Sequence, residues 1–168
     1  IHWTTQDLEN LFVRLIRRVV GFSAVVLGGF GAGASPAVST VAELTQPPLL
    51  KNVSSTPGTV EVTITAAATR LSLKPGVTSE VLAYNGSSPG PTLEANEGDK
   101  VIEHFANELD EPTTVHWHGI HLPIDQDGSP FHPVPAKGRR DYVFTIPRGS
   151  AGTYWYHPHL HHRTGYQI

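Results

Sequence analysis

The chain has 168 residues and contains neither cysteine nor methionine. The absence of cysteine excludes disulfides, iron–sulfur clusters, thiolate zinc sites and any copper site that needs a thiolate within these residues. Charged side chains make up only 16% of the chain, and the formal net charge is −3. Because no basic stripe is available to neutralise phosphates, we expect no nucleic acid among the partners.

Long apolar runs are also absent. The run from Val19 to Phe30 has 12 residues, whereas a helix needs about 20 to cross a hydrocarbon core. It follows Arg14, Arg17 and Arg18 and precedes small residues, which is the order of a secretory signal peptide. We therefore expect residues 1–42 to be a signal peptide with its flanking segment, no stable membrane span, and export to the periplasm or the medium.

Two features of this segment leave alternatives open. The pair Arg17-Arg18 is compatible with the twin-arginine export route, although its neighbours fit that signal weakly. A buried core helix is the other interpretation, because apolar residues recur at helical spacing at Leu8, Leu11, Phe12, Leu15 and Val19. Glycines after Leu27 fit a core helix poorly, which favours the signal peptide.

The rest of the chain is rich in turn formers, with 16 glycines and 14 prolines. Residues 59–65 alternate β-branched and polar side chains with a period of two, and further short β-rich runs follow at 80–84, 100–107, 113–118, 141–146 and 152–156. Turn residues separate these runs, and no helical stretch lies among them. The pattern predicts an all-β antiparallel sandwich or barrel over residues 43–168.

Histidine is the residue in excess, with ten in the chain. Two motifs, His116-Trp117-His118 and His157-Pro158-His159, place histidines two residues apart. In a strand such residues point to the same face, so each pair projects two imidazoles side by side. A lone histidine such as His104 or His132 is usually a half-buried polar residue, but two such pairs indicate a metal site. Imidazole suits copper, zinc, iron and nickel, so the ligand type leaves the metal open.

These motifs carry a resemblance to a known family. The segments concerned are Tyr84-Asn85-Gly86, Pro89-Gly90-Pro91-Thr92-Leu93, Gly98-Asp99, Thr113 to Gly119 and Tyr154 to His159. From about Thr59 onward the chain resembles the first cupredoxin domain of multicopper oxidases, the group of laccases, bilirubin oxidases and bacterial cuprous oxidases. The resemblance implies a cupredoxin-like Greek-key fold for residues 43–168, truncated at its C-terminal end.

The resemblance also implies a set of site residues. It assigns His116 to the type 2 copper of a trinuclear cluster, His118 and His157 to one type 3 copper, and His159 to the other. The remaining ligands and the cysteine-containing type 1 site are expected in further C-terminal cupredoxin domains. Asp127, nine residues after His118, matches an acidic residue that relays protons in the family, with Asp125 as a weaker candidate. The alternative for Asp127 is a turn-forming role, because Asp before Gly is a common turn pair.

The implied function is a copper-dependent oxidoreductase that couples one-electron oxidation of a small reducing substrate, a phenol or a metal ion, to reduction of dioxygen to water. This chain alone is expected to lack that activity. The alternative is a non-enzymatic copper-binding or structural cupredoxin protein of the cell envelope. A copper nitrite reductase is less compatible, because its first domain carries a type 1 site with cysteine. The pair His161-His162, where many relatives have histidine and glycine, makes the turn after the second motif a departure from the family pattern.

Overall fold

The structure is a computed structural model that describes residues 46–167. Six strands and one short helix follow in the order β1 (Thr59–Lys74), β2 (Val77–Tyr84), β3 (Lys100–Asn107), β4 (His116–His118), β5 (Arg139–Thr145), β6 (Trp155–His157) and α1 (Thr164–Gln167). The predicted signal peptide lies outside the described residues. Among residues 46–167, no helix is long and apolar enough to cross a membrane.

The strands form two sheets. Four strands pair in the order β2-β1-β3-β5, and β4 pairs with β6 in a separate antiparallel ribbon. The almost purely β architecture confirms the predicted fold class. The sequence did not predict that β1 and β3 run parallel, with Thr59 opposite Lys100 and Ala66 opposite Asn107. The connection from Asn85 to Asp99 crosses back to the start of β1, as a parallel pair requires.

The long first strand serves two neighbours. Its C-terminal half forms a hairpin with β2, from Ala66 opposite Tyr84 to Lys74 opposite Val77. Its N-terminal half pairs with β3. The predicted strand at 59–65 and the β character near Leu71 therefore belong to one element, since the turn at Pro75-Gly76 comes only after residue 74.

The core lies between the four-stranded sheet and the ribbon. Buried side chains alternate with more exposed ones along β1 and β5, so that one face of the sheet is buried. The largest wholly buried apolar side chains there are Tyr142, Phe105, Ile64, Val62 and Val101. The ribbon contributes Trp117, whose ring lies 5.3 Å from that of Phe144 and 5.6 Å from that of Tyr156, measured between centroids. Because Trp117 points into the core, its two neighbouring histidines point away from it.

Candidate metal centre

The two histidine motifs lie on the paired strands of the ribbon. His116 is opposite His157, Trp117 is opposite Tyr156, and His118 is opposite Trp155. The alternation of side chains puts His116, His118 and His157 on the face away from the core, and His159 follows just beyond the end of β6. The fold therefore brings both motifs to one place.

The four imidazole rings form a compact cluster. The ring centroid of His116 lies 5.6 Å from that of His118, 5.2 Å from that of His157 and 4.7 Å from that of His159. Three of these residues, His116, His118 and His157, bring one ligand nitrogen each to within 4.8 Å of one another. His159 is in contact through its ring but is not part of that closer group.

Hydrogen bonds fix the protonated nitrogen of two rings. Nδ1 of His116 lies 2.7 Å from the main-chain oxygen of Asp127, and Nδ1 of His157 lies 2.8 Å from that of Pro158. A carbonyl oxygen can only accept, so Nδ1 must donate in both residues. The neutral form of each ring then carries its lone pair on Nε2, which is the atom left to bind a metal.

A third contact shows whether the ring nitrogens are spaced suitably for a metal ion. Nδ1 of His118 lies 3.1 Å from Nε2 of His157. Metal–imidazole distances are about 2.0–2.1 Å, so two nitrogens that approach this closely could bind one ion. The donor set is borderline-soft nitrogen, which copper accepts readily. The residues present therefore fit a bound copper ion.

Burial favours the metal-binding form of His157. The side chain is buried, and this desolvation is the main cause that lowers its pKa below the ordinary histidine value. The neighbouring imidazoles of His116, His118 and His159 lower the pKa further, while the hydrogen bond to Pro158 opposes the shift. Metal binding requires an unprotonated imidazole, so an environment that lowers the pKa of His157 favours the form that binds a metal.

An aromatic residue covers two of the rings. Trp155 stacks on His118 with centroids 4.8 Å apart and on His157 with centroids 4.0 Å apart. Its side chain is 53% exposed, so the indole forms an outer wall of the cluster. The stacking limits rotation of both imidazoles.

The two acidic candidates lie in different surroundings. The Asp127 carboxylate is 3.3 Å from Nδ1 of His116, and its side chain is largely shielded from solvent. Asp125 is exposed, and its carboxylate accepts a hydrogen bond from the Gln126 side chain, which lowers its pKa. The structure thus places Asp127, and not Asp125, against a histidine of the cluster.

Several supporting residues were not singled out in the sequence. The hydroxyl of Thr114 accepts a hydrogen bond of 2.8 Å from the main-chain nitrogen of His159. Gln167 in α1 is buried and accepts from the Thr113 hydroxyl at 2.8 Å while donating to Glu111. In the sequence, Thr113 and Thr114 belong to a β-rich run and to the motif from Thr113 to Gly119, with no role of their own. Their position just before a histidine pair is the signal that the sequence offers, but nothing local predicts a partner more than 40 positions away.

Comparison with known proteins identifies the family. A family model described as multicopper oxidase matches residues 65–167. The chain belongs to the multicopper oxidase family. A multicopper oxidase of Staphylococcus aureus is 35% identical over 126 residues, which is 75% of this chain and 28% of that protein. The multicopper oxidase MmcO of Mycobacterium tuberculosis is 40% identical over 106 residues, 61% of this chain and 20% of that protein.

Solved structures agree with this assignment. A multicopper oxidase from Campylobacter jejuni, described as a metallo-oxidase, superposes with a TM-score of 0.70 at 44% identity over 74% of this chain and 26% of that one. A laccase from Pediococcus acidilactici gives 0.68 at 35% identity, over 74% of this chain and 27% of that one. This multicopper oxidase chain therefore spans about a quarter of the length of the relatives it matches. Membership of the family implies copper, and the histidine cluster is where the described residues can hold it.

Proposed function

We propose that this chain supplies half of the ligands of a trinuclear copper cluster in an oxidase that reduces dioxygen to water. The observation that carries the proposal is the approach of Nδ1 of His118 to Nε2 of His157 on paired strands, with His116 beside them. A chance pair of exposed histidines would not have a buried member, nor hydrogen bonds that keep the ring proton on Nδ1 of two rings.

The family pattern assigns the individual ligands. His116 would bind the type 2 copper, His118 and His157 would share one type 3 copper, and His159 would bind the other. The 3.1 Å separation of the His118 and His157 nitrogens supports a shared ion.

Copper bound here would supply one-electron redox chemistry. Four one-electron oxidations of a phenol or a metal ion deliver four electrons, and dioxygen takes these with four protons to give two waters. We propose that Asp127 delivers protons to the site, because its carboxylate lies beside His116 and is mostly shielded from bulk water. A relative from Pseudomonas syringae is named a copper resistance protein A homolog, which supports copper as the metal bound here.

The remaining parts of the oxidase are proposed to lie outside this chain. Half of the cluster ligands and a type 1 site with cysteine would come from further cupredoxin domains, in line with the length of the relatives. The 168-residue chain contains no cysteine that could ligate a type 1 copper. On its own it is expected to bind copper weakly and to consume no oxygen.

Copper titration and oxygen uptake test this proposal. In the complete gene product, His118→Ala and His157→Ala should each abolish oxygen uptake with a phenolic donor and lower the copper content measured by atomic absorption. His121→Ala is the matched control, because His121 is exposed and lies outside the group of three. Full copper content after replacement of all four cluster histidines by alanine would contradict the assignment, and sustained turnover by the 168-residue chain would contradict the half-site.

Export is the second part of the proposal. We propose that residues 1–42 direct the protein to the periplasm or the medium and that residues 43–168 form the first cupredoxin domain. Mass spectrometry of the exported protein should find an N-terminus between Ala34 and Ala42. Replacing Arg17 and Arg18 by lysine should block export if the twin-arginine route is used. An exported protein that retains residues before Leu27 would contradict cleavage.

A further inference from the structure

Hydrogen bonds join the loop between β4 and β5 to strand β5, close to the histidine cluster. Nη1 of Arg140 donates to the main-chain oxygen of His132 at 3.3 Å, and its Nη2 donates to that of Asp125. The main-chain nitrogen of Val143 donates to Oε1 of Gln126 at 2.7 Å. Asp127, whose carbonyl meets His116, lies between these attachment points.

The guanidinium of Arg140 is itself held in place. It lies over the Tyr142 ring, 5.1 Å from the centroid, within the range of a cation–π contact. Its Nε is buried and has no hydrogen-bond partner among the described residues. A planar fork can reach two carbonyls at once, which the single ammonium of a lysine cannot do in the same geometry.

Next to Asp127, the main chain of the loop packs directly against the main chain of the ribbon. Gly128 has φ +65°, and a Cβ placed there would lie 1.9 Å from the Val115 oxygen and 2.6 Å from the His116 nitrogen. Only glycine allows this approach. The approach places the preceding carbonyl 2.7 Å from Nδ1 of His116.

We propose that Arg140 and Gly128 are positioning residues that set the tautomer of His116. By holding the Asp127 carbonyl against Nδ1, they keep the proton on that nitrogen and leave Nε2 directed to the metal. The inference rests on the proposed function in that it takes His116 to be a copper ligand. Hydrogen bonds of this kind, from the far nitrogen of a ligating histidine, typically change metal affinity by about 10–100-fold when lost.

Arginine variants with a neighbouring control test the proposal. Arg140→Gln removes the fork and the charge, and Arg140→Lys keeps the charge alone. Arg139→Gln is the matched control, because Arg139 is the adjacent residue of β5 and its exposed side chain pairs with Glu108 at 3.1 Å. The first measurement is nitrogen-15 NMR of the His116 imidazole in the metal-free full chain, which distinguishes an Nδ1–H from an Nε2–H ring. The second is titration with copper alone.

Both Arg140 variants should show a mixture of His116 tautomers and an apparent copper affinity lowered by about 10–100-fold. Arg139→Gln should show the Nδ1–H tautomer and an unchanged affinity. If circular dichroism shows that Arg140→Gln does not fold, the tautomer and the copper affinity of Arg140→Lys provide the test. A pure Nδ1–H tautomer with unchanged copper affinity in the folded Arg140 variants would overturn the proposal. The tautomer measurement needs neither copper nor turnover. An inactive gene product would therefore contradict the proposed function, whereas the tautomer of His116 would still test the role of Arg140.

Discussion

The four-stranded sheet and the two-stranded ribbon are held together in different ways. The strands of the sheet run for 7 to 16 residues, and β3 pairs without interruption with both of its neighbours, so main-chain hydrogen bonds define the shape of the sheet. The ribbon has only three residue pairs. Its position depends on Trp117 in the core, on the Thr114 hydroxyl bound to His159, and on the loop carbonyl bound to His116. The position of the ribbon that carries the histidines thus depends on contacts with side chains and loops, whereas the four-stranded sheet depends on the main-chain hydrogen bonds between its strands.

The two regions also differ in how they treat buried polar groups. In the ribbon, the buried His157 has a hydrogen-bond partner on each nitrogen. In the sheet, Glu103 is wholly buried, and neither of its carboxylate oxygens has a hydrogen-bond partner among the described residues. Burial raises the pKa of Glu103 well above its ordinary value. Near the site, single buried atoms also lack a partner among the described residues, namely Nε1 of Trp117 and Oδ1 of Asp127. The group with two unsatisfied atoms, a whole carboxylate, lies in the sheet.

The largest expected effect comes from adding a methyl group where the loop touches the ribbon. Gly128→Ala should lower the free energy of unfolding by about 3 kcal/mol or more, since the new Cβ collides with main-chain atoms that cannot move aside. Gly76→Ala is the control, because Gly76 has a similar φ of +73° with nothing within 4 Å of the added Cβ. It should cost only about 1–2 kcal/mol. Urea unfolding measures both, and equal losses would show that the close approach is unimportant.

A second effect, which is spread over several pH units, is expected from Glu103. The tyrosines that face it, Tyr84, Tyr142 and Tyr156, have pKa values raised chiefly by burial, that of Tyr142 to about 12, so they stay neutral in the acid and neutral range. The folded state keeps the Glu103 proton, whereas the unfolded chain releases it above about pH 4.3. Stability should therefore fall as the pH rises from there towards the folded pKa, by up to about 1.4 kcal/mol per pH unit.

Two substitutions separate the charge of Glu103 from its polarity. Glu103→Gln should remove this pH dependence, and Glu103→Leu should remove it and also raise the free energy of unfolding at pH 7 by about 1–4 kcal/mol. Thermal unfolding between pH 5 and pH 8 measures both changes. A pH profile that is the same in the wild type and in Glu103→Gln would mean that Glu103 does not titrate on unfolding.

The smallest effect is expected on the outer face of the same strand. His104 contacts Glu61 at 3.0 Å and Asp141 at 2.9 Å, and these hydrogen bonds, that of Glu61 first, raise its pKa. The stabilisation is present below about pH 6.5 and is lost as the pH rises through the raised pKa of the folded state. Because the group is exposed, His104→Gln should cost less than about 0.5 kcal/mol at pH 6. A similar loss at pH 9 would show that charge is not the cause.

The sequence predicts the sheet better than the ribbon. Alternation over residues 59–65 and 100–107 is a local property, so the strands and their buried faces could be predicted from it. The same alternation directs Glu103 inward, which conflicts with its charge and was the sign of an unusual core position. The parallel pairing of β1 with β3 could not be predicted, because it depends on the path of the connection between them.

For the site, the sequence predicts which side chains share a face but not what orients them. The spacing of His116 and His118 is sufficient to predict that they share a face, because side chains two residues apart in a strand point the same way. The partners of the site residues come from elsewhere in the chain: Thr114 is 45 positions from His159, and Arg140 is 15 positions from the carbonyl of Asp125. Such contacts exist only after the loops have packed.

The stacked indole of Trp155 gives the cluster an optical consequence. Of the two tryptophans in the described residues, Trp117 is buried and Trp155 is half exposed, so their fluorescence differs in wavelength, with Trp155 emitting further to the red. Only Trp155 lies in ring contact with His118 and His157. A paramagnetic ion held by those imidazoles would quench the red component more strongly than the blue one. The chain therefore contains its own label-free reporter of metal occupancy, with Trp117 as the internal reference.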